Sequence, residues 1–305
     1  MLKYSLRQLQ YFVIAGELGS VTRAADSLSV SQPTISAAIA HLEDVFEVQL
    51  FVRHHAKGLS LTRSGKKIFV QANTLLKQAE DLHNTVNDFA KTTRGTVHVA
   101  WFVTLAPVIA PILIREFQRI YERVHIDCYE ADHDEIFDGL QRAKFDMALT
   151  YELDIPDILK FEPLARYDPY VIVHKNHPLA SRQSVSLKML ADEPMVLLDL
   201  PHSRQYFESL FVEVNISPNV QYRSLSPHLV RSMVANELGY SVMNIPVGSN
   251  YSLDGKEFVK LELRDKLRQV VMGILKLTDY EFTHAATLFY EHCKQSVNPQ
   301  YIVDE

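Results

Sequence analysis

Apolar residues in the first quarter of the chain recur at spacings of three and four, the mark of amphipathic helices rather than strands. Leu6, Leu9, Phe12, Val13 and Leu18 predict a first helix. Ala24, Ala25 and Leu28 predict a short second one, whose small residues let another helix approach closely. Leu28-Ser29-Val30-Ser31 then breaks the pattern. Ser31 is placed to cap a third helix, and Pro33 falls in its first turn, where a missing backbone N–H costs nothing. In that third helix Ile35, Ile39, Leu42 and Phe46 mark the buried face. Gln32, Thr34, Ser36, Ala37 and His41 keep the other face polar and low in relief. Such a helix end suits entry into the DNA major groove, although most helical hairpins bind no DNA. Gln49–Leu61 reads as a two-stranded wing, with Leu50–Arg53 and Leu59–Leu61 meeting at Lys57-Gly58. Thr62 offers the N-cap of a long helix.

That helix carries a regular seam. Ile68, Ala72, Leu75, Ala79, Leu82, Val86 and Phe89 alternate spacings of four and three, with neither Pro nor Gly between them. A repeat of 3.5 residues marks a coiled coil and predicts dimerisation, against the alternative of a helix lying on its own domain. Lys91-Thr92-Thr93-Arg94-Gly95 is a polar break and reads as a hinge. From Thr96 the pattern alternates strands (Val97–Phe102, Val124–Glu130, Asp146–Thr150) with helices (Leu105–Tyr121, Asp134–Ala143), the order of a parallel sheet wrapped by helices. Phe161–Val173 leads into a second such unit. Its strands are Met195–Leu198, Val220–Arg223 and Tyr240–Asn244, and its helices Ser203–Asn215 and Pro227–Leu238. Val270–Leu275 and a helix over Phe282–Lys294 finish the chain. Two open α/β units joined by two crossings enclose a cleft, and ligands sit at the carboxyl ends of strands in such sheets.

Charge sharpens this division. Residues 1–67 hold eight basic and five acidic groups, an excess of +3 that leaves −9 for the rest of a chain whose total is −6. A positive head on a negative body suits one end that faces phosphates. Two cysteines, Cys128 and Cys293, are too few for a disulfide framework and lack metal-ligand spacing, which favours a reducing cytoplasm. Met1–Arg7 lacks the apolar run of a signal peptide, and no segment is apolar enough to span a bilayer. The rival reading is a solute-binding or enzymatic α/β protein whose first helices only dimerise. Gly-x-Ser-x-Gly, Gly-x-Gly-x-x-Gly, His-Glu-x-x-His and Cys-x-x-Cys are all absent, so no catalytic role, cofactor or metal is expected.

Several runs resemble the LysR-type transcriptional regulators. They are Leu6-Arg7-Gln8-Leu9-Gln10-Tyr11-Phe12, Thr22-Arg23-Ala24-Ala25, Val30–Ser36, Ile39–Glu43, Leu50–Arg53 and Leu61-Thr62-Arg63-Ser64-Gly65. Thr104-Leu105-Ala106-Pro107 and Gly239-Tyr240-Ser241-Val242 match less specifically. The resemblance implies an α + α/β chain with an N-terminal winged helix-turn-helix (1–61), a long linker helix that dimerises (62–91) and a two-subdomain α/β, periplasmic-binding-protein-like effector domain (92–305). Subdomain I would take about 96–162 and 271–295, and subdomain II about 163–270. The resemblance further implies a DNA-binding regulator, assembled as a homotetramer from homodimers, that switches a promoter when a small molecule binds; RNA polymerase is a further candidate partner.

Carried over by position, Gln32, Pro33, Thr34 and Ser36 face base edges or phosphates, and Arg53 on the wing reaches the backbone or minor groove. Ala37 departs from the family, which often has a long polar residue there, and removes a possible base contact. The same pattern places effector contacts at Phe102, Thr104, Thr150, Tyr151, His202 and Ser203. Thr104 and Ser203 stand at helix starts suited to a carboxylate, so a carboxylate or amino-acid-like metabolite is expected. Tyr206 is a further candidate for shaping the pocket, and Glu152 and Asp199 would favour an amine if they pointed inward.

Overall fold

Helix α1 (Leu6–Leu18) begins where Ser5 and Gln8 cap each other, side chain to backbone in both directions. The computed structural model describes residues 3–54, 58–88 and 93–297. Lys57 of the expected wing turn, Phe89 of the seam, and Lys91 and Thr92 of the hinge lie outside them. Helices α2 (Val21–Ser27) and α3 (Gln32–Phe46) follow, and α3 starts at Ser31, whose hydroxyl accepts from Thr34 N, with Pro33 in the first turn as expected. Strands β1 (Phe51–His54) and β2 (Gly58–Leu61) form the antiparallel wing, and α4 (Arg63–Asp88) is the long helix. Phe12, Phe51 and Phe69 meet edge to face, joining α1, the wing and α4 in one core. Leu6 departs from the expected stripe: it is 47% exposed, because α1 turns Leu9, Phe12 and Val13 inward instead.

Two glycines make this packing possible. Gly58 adopts φ +82, and a Cβ there would stand 2.4 Å from the Gly19 carbonyl oxygen. Gly65, in the first turn of α4, passes so close to the residue before β1 that a Cβ would lie 2.0 Å from Leu50 O. Thr62 Oγ1 accepts from Gly65 N at 2.8 Å, the cap expected there, and donates to Gln49 O at 2.6 Å.

The second half builds two α/β units. Strand β3 (Gly95–Phe102), helix α5 (Ala106–Ile120), strand β4 (Val124–Ala131), helix α6 (His133–Gln141) and strands β5 (Met147–Tyr151) and β6 (Leu159–Tyr167) begin the first. The second takes β7 (Tyr170–His174), β8 (Ser184–Val185), β9 (Pro194–Leu198), α7 (Ser203–Glu213), β10 (Asn219–Ser224), α8 (Pro227–Ala235), β11 (Ser241–Met243) and β12 (Phe258–Leu263). The chain returns through β13 (Val270–Leu277), and α9 (His284–Ser296) is the last of the described elements. The first sheet has the order β4-β3-β5-β13-β6 and the second unit pairs β9 with β10 and orders β11-β7-β12-β8. Neither unit is purely parallel. Strands β13 and β6 run antiparallel, as do β7 with β11 and β12, because the chain crosses between units and must return. Strand β6 pairs with β13 as far as Tyr167, so the first crossing falls at 168–169 rather than near 162.

Helix α4 is tied to this half by a buried polar cluster. Asp146 is 2% exposed and precedes β5. Its Oδ1 accepts from Lys77 Nζ at 2.7 Å and from the Tyr280 hydroxyl at 2.6 Å, and its Oδ2 from His98 N at 2.8 Å. Lys77 also donates to Ala143 O at 3.1 Å, and Asn73 Nδ2 to the same oxygen at 3.3 Å.

Gly65→Ala is expected to push α4 off β1 and destabilise the N-terminal domain by about 1–3 kcal/mol, as overpacking does. Denaturant unfolding followed by circular dichroism checks this; an unchanged midpoint would mean the junction yields freely.

Candidate functional site

The recognition surface rests on α3. Ile35, Ile39 and Leu42 anchor the helix in the core, which turns Gln32, Pro33 and Thr34 to solvent and leaves Ser36 half-buried. The four sequence candidates on α3 therefore occupy its first turns, opposite its anchored stripe. The Thr34 hydroxyl is already engaged, 2.8 Å from Ser31 Oγ, so it also holds the helix start. His41 is exposed, with Nε2 2.9 Å from Lys3 O, an internal bond that draws it away from the recognition end. Arg53 is exposed on β1, opposite Leu59 across the wing, and Leu59 N donates to Gly19 O at 2.8 Å, pinning the wing to the end of α1.

The second site lies where the carboxyl ends of β3 and β5 meet the starts of α6 and α7. Phe102 closes β3 and is buried, with its ring 4.3 Å from His133 and 5.4 Å from Tyr151. Thr104 Oγ1 stands 3.2 Å from the Tyr151 hydroxyl, and Thr150 Oγ1 3.1 Å from His133 Nε2. Burial pushes the Tyr151 hydroxyl pKa well up, so it stays protonated. His202 opens α7 with φ +61, a left-handed conformation that costs a non-glycine residue free energy. There its Nδ1 lies 3.0 Å from Asp154 Oδ2 and its Nε2 3.3 Å from Asp134 Oδ1. The His202 ring also packs on His133 and Phe137. One imidazole thus spans the cleft, from α7 on one side to α6 and the loop after β5 on the other.

The two histidines titrate in opposite directions. Burial, reinforced by the charge of His202, lowers His133 to about 4 and keeps it neutral. Burial also opposes charge on His202, but the Asp154 and Asp134 carboxylates outweigh it and raise its pKa.

The geometry brings all six sequence candidates for effector contact to this one region. Thr104 and Ser203, both buried, are not themselves the caps: Leu105 and His202 hold those positions, and neither makes a side-chain cap bond. Helices α6, α8 and α9 are all capped, by Asp132, Ser226 and Thr283, so α5 and α7 are distinct in this unit. Tyr206 is buried, and its hydroxyl donates to Arg268 O at 3.0 Å. Asp199 does not charge the cleft, because Arg204 at 3.3 Å and Arg223 at 3.7 Å pair with it, and Glu152 is exposed. The carboxylates at the cleft are Asp134 and Asp154, which sequence reasoning missed. Asp132 and Glu135 mark a helix start there, but no local signal reveals that Asp134 faces a histidine 68 positions away.

Among the described residues no group of side chains could hold a metal ion, and no helix is long and apolar enough to cross a membrane. Residues 6–66 match the family described as bacterial regulatory helix-turn-helix protein, lysR family, and residues 90–298 match the LysR substrate binding domain. HinK, a LysR family transcriptional regulator from Pseudomonas aeruginosa, is 34% identical and superposes with a TM-score of 0.64, covering 96% of this chain and 98% of its own. The HTH-type transcriptional regulator YvbU of Bacillus subtilis is 27% identical over 95% of this chain and 98% of its own length. Full-length CbnR, solved in complex with its target DNA, shares the fold, with a TM-score of 0.60 at 21% identity over 95% of this chain and 99% of its own. With both halves accounted for, the chain belongs to the LysR family, DNA-binding transcriptional regulators with an effector-binding domain that are generally not enzymes.

Proposed function

We propose that α3 reads the operator through Gln32, Pro33, Thr34 and Ser36, while Arg53 on the wing holds a phosphate or enters the minor groove. The observation that carries this reading is the solvent-facing start of α3, held in place by a core that spares those residues. CbnR bound to its target DNA shows that this fold accommodates a duplex.

Two copies of α4 pair in this reading, each chain contributing residues 1–61 as reading head and 62–91 as linker, with 92–305 as effector domain. Ala72 is buried and Ile68 half-buried, yet Leu75 is 39% exposed. Ile68, Ala72 and Leu75 line a cavity of about 520 Å³ together with Tyr4, Leu9 and Phe46. A second α4 inserting its own seam there would cover Leu75. Pairs of such dimers make the tetramer, which works in the cytoplasm and meets RNA polymerase at the promoter.

The effector is a carboxylate or amino-acid-like metabolite held by Phe102, Thr104, Thr150, Tyr151, His202 and Ser203. The uncapped starts of α5 and α7 face its negative charge, and backbone N–H groups at a helix start favour an anion. His202 closes the cleft over it by bridging to Asp134 and Asp154.

Gln32→Ala is expected to shift operator preference, whereas Arg53→Ala weakens binding to all duplexes and flattens the salt dependence by about 0.9 in log–log slope. Footprinting and titration at several salt concentrations measure both, and intact footprints in both variants would remove α3 from the interface. Thr104→Val with Ser203→Ala should abolish the effector response and spare basal DNA binding; a full response would move the effector elsewhere. The histidines also set a pH profile. Because the folded pKa of His202 is raised, its bridge contributes fully below the unfolded value of 6.5 and is lost as pH rises through the folded one. His133, lowered to about 4, costs stability as pH falls below 6.5. His202→Gln is therefore expected to flatten the alkaline side of the Tm–pH curve by roughly 1–3 °C and, by removing a charge that lowers His133, to soften the loss of stability below pH 6.5. An unaltered alkaline limb would show that the bridge carries no charge.

A further inference from the structure

Helix α8 places a charge on its buried side. Pro227, Val230, Arg231 and Val234 all face inward, and Arg231 is only 9% exposed. Beneath it lies one face of the sheet formed by β11, β7 and β12. Ser241 and Lys260 both stand opposite Ile172 in register, and Tyr170 precedes Ile172 by two, so all four side chains share that face. The Arg231 guanidinium lies against the Tyr170 hydroxyl, which donates to Ile245 O at 2.9 Å, and Lys260 Nζ donates to Val247 O.

What this cluster lacks is a negative charge. Among the described residues, ion pairs take up Lys77, Arg142, Arg204, Arg223 and Lys294, and none involves Arg231 or Lys260. The buried Nε of Arg231 and the buried Oγ of Ser241 have no hydrogen-bond partner. Burial and the neighbouring Arg231 charge hold the Lys260 amine below the ordinary lysine range. A lysine can shed its proton to relieve such a conflict; a guanidinium cannot. Proteins offset a buried cation with a counter-charge, and no ion pair among the described residues supplies one.

We propose that Arg231 and Lys260, with Tyr170 and Ser241 beside them, form a binding site for a small oxyanion in the second α/β unit. The guanidinium fork matches a carboxylate, sulfate or phosphate edge, and Lys260 adds a second charge at the half-exposed rim. A free inorganic ion and the carboxylate end of an effector share this chemistry, and only the latter case rests on the effector reading.

The test uses the full chain at pH 7 and constant ionic strength, with sulfate, phosphate or acetate replacing chloride while Tm is recorded. At least one anion should raise Tm saturably, and Arg231→Gln and Lys260→Met should each weaken that response roughly tenfold or abolish it. Without the anion, Arg231→Gln should keep or raise Tm, since it removes an unmatched charge, a result that loss of a purely structural arginine would not give. A preference for acetate assigns the site to a carboxylate-bearing ligand, and a preference for sulfate or phosphate to an inorganic ion. Salting effects do not saturate at low concentration and would persist in both variants. No saturable response over chloride, or equal responses in wild type and variants, would overturn the proposal. Should Arg231→Gln fail to fold by circular dichroism, Lys260→Met alone decides.

Discussion

Asp146 is the point at which the two halves of this regulator are made into one body. Its carboxylate has left water, and such a group is tolerated only when its oxygens are matched by donors. Lys77 from α4, Tyr280 from the segment before α9 and the backbone of His98 in β3 supply those donors. Removing any partner leaves an uncompensated buried charge, so the orientation of α4 on the first sheet is specified rather than merely allowed. The DNA-reading head follows α4, because Gly65 brings its first turn against Leu50 and the phenylalanine cluster locks the wing to α1.

The same residue begins the route to the effector cleft. Strand β5 starts immediately after Asp146, is buried along its whole length and ends in Thr150 and Tyr151. It is a central strand between β3 and β13, about 17 Å long at the usual rise, and has no freedom to bend without disturbing both neighbours. One end therefore touches what holds the linker, and the other the hydroxyls and the neutral His133 that line the cleft. Across that cleft His202, held in a left-handed conformation, reaches back to Asp134 and Asp154. The lining of the cleft and the anchor of α4 are thus the two ends of one buried strand.

Local physics explains what could be read from the chain and what could not. Ser31, Pro33, Thr62 and Gly58 announce a cap, a first turn, a second cap and a turn, because each acts within a few residues of itself. The seam at Ile68, Ala72 and Leu75 was equally plain, but spacing could not reveal that Ala72 and Ile68 also pack on the chain's own N-terminal core. Strand direction was hidden: alternation marks β6, β7 and β13 as strands, while their antiparallel pairing follows from crossings that no short window contains. Strands β8 and β12 leave no clear mark in the sequence, since Ser184–Val185 is too short to show a period and Phe258–Leu263 follows an irregular polar stretch. At the cleft, Thr104 and Ser203 were placed correctly beside helix starts and one position away from the caps. Asp134 and Asp154 look like any solvated acids until tertiary structure sets them around His202, and Arg231 hides within an apolar helix stripe.

The most direct test of the account is a double-mutant cycle between linker and effector domain, with Lys77→Met, Asp146→Asn and the pair together followed by denaturant unfolding. The account predicts that each single change destabilises the chain by about 2–4 kcal/mol, and that the pair costs clearly less than their sum, with a coupling of about 1–3 kcal/mol. Additive effects would contradict it, for they would mean that Lys77 and Asp146 do not hold α4 to the effector domain.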